Sequence, residues 1–411
     1  MGAVTSTTFD AALKQYYSDE EVRDVTSDGN PLFGMISKAP DLTGKTFEQP
    51  IQWGRGQGRS ASIQKAIARQ GANKYDRFSC TTADDYGVIS IERKVMKTSG
   101  NMRGAFFQAQ TREIDSMLQE LARSISWSMF RNSGGAIGRV STATAPSTTT
   151  LTLNESEDMS IFEAEQVLVA SDNDGSVSTD VLLAGSQEIA SVNEDGPTLT
   201  GAGNWTAGIP SLGVGDFLFI DGDFQSKIQG FGGWMSIRND AAATPGTTAF
   251  FGVDRSQHVT RLAGRRITAI GDPIHEAVPR AARQLGRNGH KVDCFFCSHQ
   301  KYQDLQIELS NKVVFDRYNA SESVGYESIT IRGPHGPIKV YADRNCPDKF
   351  GFLIAKDDWT LRSIGPVPDL HDEDGVRMLR NTNDDSFQVR ASYYAQMVTA
   401  NTAAMAALTL E

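Results

Sequence analysis

The stretch from Asn101 to Asn132 restricts the fold more than any other part of the chain. Phe106, Ile114, Met117, Leu118, Leu121 and Ile125 share one face at three- and four-residue steps, with Arg112, Glu113, Glu120 and Arg123 between them. That is the pattern of a helix with a single apolar stripe. Asn132-Ser133-Gly134-Gly135 closes it, because glycine accepts the left-handed backbone that ends a helix. About thirty residues at 1.5 Å each make a rod roughly 45 Å long, well beyond the usual three turns. Such a strut needs a body broad enough to lie across.

Ahead of the strut, Lys45 to Met96 holds two strand-like stretches, Thr46 to Trp53 and Asp85 to Glu92, around a polar middle. The second alternates apolar and polar side chains, the period of a strand with unlike faces. The middle opens with Gly54-Arg55-Gly56-Gln57-Gly58-Arg59-Ser60, so the expectation is a long two-stranded ribbon with a mobile tip. Two strands alone are marginal in water, and a ribbon that buries no face within its own subunit requires a neighbour. Arg55 and Arg59 are the tip's candidate contacts, on glycines free to follow a partner's surface. Residues 1–44 are polar and poorly periodic, with the acidic cluster Asp19, Glu20, Glu21 and the turn signal Asp28-Gly29-Asn30-Pro31. They read as an arm that orders by lying on something else.

Beyond a Ser/Thr/Ala linker at 141–150 the chain becomes rich in Gly, Asp, Ser and Thr, with short apolar runs such as Val167-Leu168-Val169 and Phe217-Leu218-Phe219-Ile220. Short strands between turn signals predict a small β barrel or sandwich. At Asp272-Pro273 a helix is expected, with Asp as cap and Pro as its first residue, running to Gly289. Strands at Val292–Cys297, Ser328–Arg332, Ile338–Tyr341 and Phe350–Ala355 and a helix near His299–Leu309 follow, an α+β arrangement around one sheet. Arg280, Arg283 and Arg287 fall on one helical face opposite Ala277, Ala281 and Leu285. They are candidates to pair with a neighbouring subunit's carboxylates, such as Asp372, Glu373 and Asp374; a solvated helix face explains them equally well. The chain closes with an alternating strand from Phe387 and an Ala/Thr-rich tail.

Composition excludes several alternatives. The chain has 411 residues, 39% hydrophobic and 22% charged, ordinary for a globular protein of two or three domains. No run approaches the roughly 18 apolar residues of a membrane span, and MGAVTSTTFD is not a secretory signal. Cys80, Cys294, Cys297 and Cys346 are too few and scattered for a disulfide framework. Cys294 and Cys297 sit three apart in a strand, hence on opposite faces, with no second pair or flanking His to complete a zinc site. The six histidines show no ligand spacing. Ala39-Pro40-Asp41-Leu42-Thr43-Gly44-Lys45-Thr46 loosely matches a phosphate loop, but Pro50 forbids the helix that motif requires. No G-x-S-x-G elbow occurs. The formal charge of −10 disfavours a surface that grips nucleic acid; the wall of a DNA container, by contrast, should not adhere to its contents.

Taken in order, the arm, long ribbon, long helix, α+β domain and closing strand resemble the HK97-type capsid family of tailed bacteriophages over nearly the whole chain. The matching parts are Lys45 to Met96, Asn101 to Asn132 with its Asn-Ser-Gly-Gly end, Phe251-Gly252-Val253-Asp254-Arg255-Ser256, Gly333 to Val340 with Asp343 to Pro347, and Asp385 to Tyr394. The resemblance implies an α+β HK97-like fold divided as N-terminal arm 1–44, E-loop 45–96, P-domain with spine helix 97–140, inserted β-rich domain 141–232, A-domain 233–372 and a return to the P-domain over 373–411. It implies a major capsid protein, not an enzyme and without cofactor or metal, that self-assembles into hexamers and pentamers of an icosahedral shell around double-stranded DNA. Its partners would be further copies of itself, a separate scaffolding protein, a portal protein at one vertex and a decoration protein, with no membrane. Assembly would occur in the host bacterial cytoplasm and the product would be the virion. An encapsulin-like nanocompartment is the alternative on the same fold.

Overall fold

The computed structural model describes residues 30–42, 44, 46–99, 109–309, 329–371, 378–382 and 384–411. The strut is a helix over Ala109–Ser128, and its expected first turns lie outside the described residues. It stops short of Asn132. Phe130 and Arg131 donate their amides to the carbonyls of Trp127 and Ser128, three residues back, the tightened geometry of a final turn. Gly135 then takes a φ of 82°, open to glycine at no steric cost.

The buried stripe Met117, Leu121 and Ile125 packs on a six-stranded sheet whose central member is the long strand Ser386–Thr399. Ala83–Glu92 pairs with one side of it. Trp359–Ser363, Asp369–Leu370 and Leu379–Arg380 share the other side in turn, and Ser37–Ala39 adds in parallel beyond Trp359–Ser363. Helix and sheet meet closely at Gly87, where a Cβ would stand 2.8 Å from Met117 Cγ. The Asp85 to Glu92 stretch is thus a strand, but of this sheet rather than of the ribbon.

The ribbon pairs Thr46–Gly54 with Lys74–Thr81. The sequence of the second strand, KYDRFSCT, offers too little alternation to be read as one. Its base is firmly seated: Phe78 and Cys80 are buried, Phe47, Ile51 and Trp53 pack on the main core, and Ser79 N donates to Phe251 O. The expectation that the ribbon buries no face at home is therefore overturned for the base. It holds for the tip, residues 55–73, which carries the unforeseen helix Ile63–Ala68 with no buried residue.

The Gly/Asp-rich middle folds as a closed, all-antiparallel six-stranded barrel. In spatial order its strands are Gly138–Arg139, Phe217–Ile220, Val167–Ser171, Gln187–Asn193, Thr198–Gly201 and Thr150–Thr152, and the bridge Val140↔Leu153 joins last to first. Closure leaves no open sheet edge. Leu151, Leu168, Ile189, Leu199, Trp205 and Leu218 fill the interior; each such side chain contributes about 1.5–3 kcal/mol when fully buried. Trp127 from the strut's last turn belongs to this core, whereas Ile125 and Phe130 belong to the main one.

The remaining sheet is mixed. Its order is Arg265–Thr268, Met405–Thr409, Phe350–Ile354, Cys294–Cys297, Gly336–Ala342 and Ile329–Gly333, with helices Ile274–Gly286 and His299–Leu309 sharing its core. The expected Ala/Thr-rich tail is in fact an inner strand here: Met405–Thr409 pairs parallel with Arg265–Thr268 and antiparallel with Phe350–Ile354. Among the described residues of 373–411, the strands of the first sheet are thus Leu379–Arg380 and Ser386–Thr399. Pro273 is the cap residue of the Ile274–Gly286 helix, with an extended ψ of 135°, not its first turn. The Glu308 carboxylate accepts the free amides of Ile274 and His275 at 3.1 and 3.2 Å, which leaves Asp272 to accept from Arg280 at 2.6 Å.

Candidate interaction surfaces

The ribbon tip is the least self-satisfied surface. Ile63 and Ile67, one helical turn apart, are 73% and 57% exposed. Arg55, Arg59, Lys65 and Arg69 flank them along the chain, with no Asp or Glu between 55 and 73. Arg55 and Arg59 are both exposed. The tip's root is cross-tied: Gly56 N donates to Asn73 Oδ1 at 3.1 Å, and the Lys74 ammonium lies 4.9 Å over the Trp53 ring. A cationic helix with two bare isoleucines, held out on a braced stalk, suits an acidic surface with an apolar hollow.

The three arginines of the second sheet's first helix separate in role. Arg280 is committed within its own chain, to Asp272 and to Thr268 O at 3.3 Å. Arg283 and Arg287 are exposed, and neither guanidinium has a partner among the described residues. Glu20 and Glu21, and the proposed partners Asp372, Glu373 and Asp374, lie outside the described residues.

The cysteines are packing groups. All four are buried and unbonded. Cys294 faces the core shared with the strut and Cys297 the core under the two helices, so they cannot share a ligand. Burial pushes the thiols of Cys80, Cys294 and Cys297 up to about 12, far from a reactive thiolate. Where the phosphate-loop reading needs a helix, the strand Thr46–Gly54 runs. Ser392 Oγ lies 2.7 Å from His371 Nε2, but Ser392 is only 2% exposed, a cross-strand hydrogen bond closed to any substrate.

Sequence reasoning missed the polar joints that lock the barrel and the sheets together, because their members lie far apart in the chain. Lys227, 5% exposed, meets Asp85 at 2.6 Å and Asp223 at 3.0 Å, with Ser124 Oγ 3.1 Å away and Tyr393 donating to Asp85 at 3.2 Å. Burial works against the Lys227 charge, yet the two carboxylates more than offset it and hold the ammonium above its ordinary range. Only the Asp223/Lys227 spacing could have been noticed in advance. Nearby, Arg131 pairs with the buried Asp158, and Glu157 accepts the Asp348 amide at 2.7 Å. Desolvation and a hydrogen bond to the Asp348 side chain push the Glu157 carboxyl up to about 10. Asn239, at the tip of a tight turn with φ of 50°, donates to Asp174 at 2.7 Å, to which Asn132 also donates at 2.8 Å. Arg255, from a segment singled out in the sequence, donates to Gly233 O and Trp234 O at 3.0 and 2.9 Å and stacks 3.7 Å over Phe250.

No family model matches the sequence, and no curated protein matches it. Solved structures do. One is the capsid asymmetric unit of cyanophage A-1(L), at 11% identity and a TM-score of 0.58 over 96% of both chains. Others are the capsid of a native GTA particle, at 12% identity and 0.48 over 97% of this chain and 95% of that one, and the holo-SrpI encapsulin complex of Synechococcus elongatus PCC 7942, at 7% identity and 0.47 over 100% and 96%. At such identities the likeness is one of fold, and in the cyanophage case it runs nearly end to end.

Proposed function

From a chain whose fold is that of a phage capsid protein of the HK97 type, we propose that it is the building block of a virion shell, a structural protein rather than an enzyme. The supporting observation is the ribbon tip: on this fold, two exposed isoleucines and four cations extend on a stalk whose base alone is satisfied at home. Copies join head to tail, tip to neighbour, in rings of six and five, since a heterologous contact that closes makes a ring. Arg283 and Arg287 add a second, weaker contact to carboxylates of the next copy. Such contacts are individually modest and collectively strong, so misplaced subunits can leave while the shell grows. The charge of −10 keeps the wall from adhering to the double-stranded DNA inside. A scaffolding protein, a portal at one vertex and a decoration protein complete the proposed assembly, which forms in the bacterial cytoplasm.

Negative-stain electron microscopy of the purified chain, alone and with scaffold candidates, tests this reading. Rings or closed shells are expected. The double variant Ile63→Ser/Ile67→Ser should unfold within about 0.5 kcal/mol of the parent, since both residues are exposed, yet give no particles. A chain that stays monomeric under every condition would sink the proposal, and particles filled with protein instead of DNA would move it to a nanocompartment.

A further inference from the structure

The barrel holds most of the chain's negative charge. Residues 136–224 carry fourteen Asp and Glu against one cation, Arg139, a formal −13 in a chain of −10 overall. Four of these acids are matched at home: Asp158 by Arg131, Glu163 by Arg123, Asp180 by Arg238 and Asp223 by Lys227. Others face solvent, and three of them stand together. Ile220 pairs with Leu168 and Val167 with Glu188, while Asp221 N donates to Val167 O at 3.0 Å. Asp221, Val167 and Glu188 thus form one row across three adjacent segments. Their chain neighbours Leu168 and Ile189 are wholly buried in the barrel core, so by the period of a strand the row points outward. Val167 is 36% exposed, and Glu188 and Asp221 are exposed on either side of it. Glu165 N donates to Ile189 O at 2.8 Å, which sets a third exposed acid beside the row. None of the three carboxylates has an ion-pair partner among the described residues.

The ribbon tip is the complement of this surface: four cations, no acid and the bare side chains of Ile63 and Ile67. Within one copy no hydrogen bond or ion pair joins tip to barrel among the described residues, and the ribbon's base is seated on the main core instead. Opposite charges left unmatched inside a chain are free to meet between chains, where complementary potentials select the partner and the register. We infer that the ribbon tip of one copy docks on the barrel of another, with Ile63 and Ile67 against Val167 and the tip's cations facing Glu165, Glu188 and Asp221. The inference rests on the shell reading for its occupant, a second copy, and deepens it by naming the surface that receives the tip. Each exposed ion pair is worth little by itself. Strands about 4.8 Å apart gather several of them around one apolar contact, and that combination gives the docking its specificity.

Disulfide trapping in the full chain tests this. All four native cysteines are buried, so introduced thiols report alone. Chains carrying Ile67→Cys and chains carrying Val167→Cys are mixed under mild oxidation, and the disulfide-linked mixed dimer is measured by mass spectrometry. Its yield is expected to exceed that of Ile67→Cys with Asn193→Cys, an exposed position about 16 Å farther along the strand of Glu188. Glu188→Lys/Asp221→Lys in the barrel partner should lower the yield about tenfold, through the reversal of two screened pairs. Adding Arg55→Glu/Arg59→Glu to the tip partner should restore it. No trapping, equal trapping at 167 and 193, or a yield indifferent to charge reversal overturns the inference. Electron microscopy of the same mixtures separates it from the shell reading. Particles without the disulfide mean that the tip seats elsewhere on its neighbour, whereas trapping without particles keeps the docking and removes the shell.

Discussion

Single residues decide how the parts of this chain are fastened. Lys227 ties Asp85 of the first sheet to Asp223 at the exit of the barrel, and its removal strands two partly buried carboxylates. Lys227→Met should therefore cost about 3 kcal/mol in denaturant unfolding, the usual penalty of breaking a buried pair from one side. Adding Asp85→Asn and Asp223→Asn should recover most of it; a triple variant as weak as the single one would show that packing, not charge, holds the joint. Glu157 behaves differently. Its carboxyl, raised from 4.5 to about 10, keeps a proton in the folded chain where the unfolded chain has lost it. Between those two values the folded state binds one proton more, so its stabilising contribution is whole below about 4.5 and falls as pH rises toward 10. Glu157→Gln retains a donor and an acceptor toward Asp348 but takes up no proton, so its melting temperature should climb relative to the parent from pH 6 to pH 9. Parallel curves would mean that Glu157 is ionised in the folded chain. Neither residue was legible in the sequence: Lys227 and Asp85 are 142 positions apart, and no periodicity reports a contact of that span. The cysteines were legible, because period two alone places Cys294 and Cys297 on opposite faces.

Elements with strong local patterning were read well, and those shaped by neighbours were not. The strut announced itself through Met117, Leu121 and Ile125, and the barrel through turn signals between short apolar runs. The strand Lys74–Thr81 did not, since its pleat is half satisfied by a body the sequence does not display: Phe78 and Cys80 face the core, while Tyr75 is 68% exposed. The Ala-rich Met405–Thr409 read as a tail because Ala has no strand preference of its own; it is a strand because it fits between two others. Close fit also governs the strut's seat. Gly87→Ala places a methyl within 2.8 Å of Met117 Cγ and should destabilise the chain by about 2 kcal/mol through overpacking, a loss that Met117→Ala in the same chain should partly relieve. The barrel enters and leaves at one point, where Gln225 N bonds Gly134 O at 2.9 Å and Lys227 N bonds Ser133 O at 3.3 Å. Residues 136–224 expressed alone should unfold cooperatively in a thermal scan, having a closed sheet and a core to which the strut adds Trp127 alone; a non-cooperative melt would make the barrel dependent on its host.

For the whole molecule, charge is unevenly placed. The tip contributes four cations and no acids, so the remainder carries −14 within a total of −10. On the proposed shell reading the tip of one copy and the body of the next attract, so screening by salt should slow particle formation in light-scattering kinetics. Arg55→Gln/Arg59→Gln should flatten that salt dependence; an unaltered slope would remove electrostatics from the contact. The fold has a further consequence in time. The centre of the first sheet is Ser386–Thr399 and an inner strand of the mixed sheet is Met405–Thr409, whereas the barrel is complete by Ile220. During synthesis the barrel can therefore mature while the chain is still tethered to the ribosome, but the first sheet cannot close until Thr399 has emerged, nor the mixed sheet until Thr409 has. On the proposed shell reading, a nascent chain therefore gains the body that seats its ribbon only after most of its residues have been made.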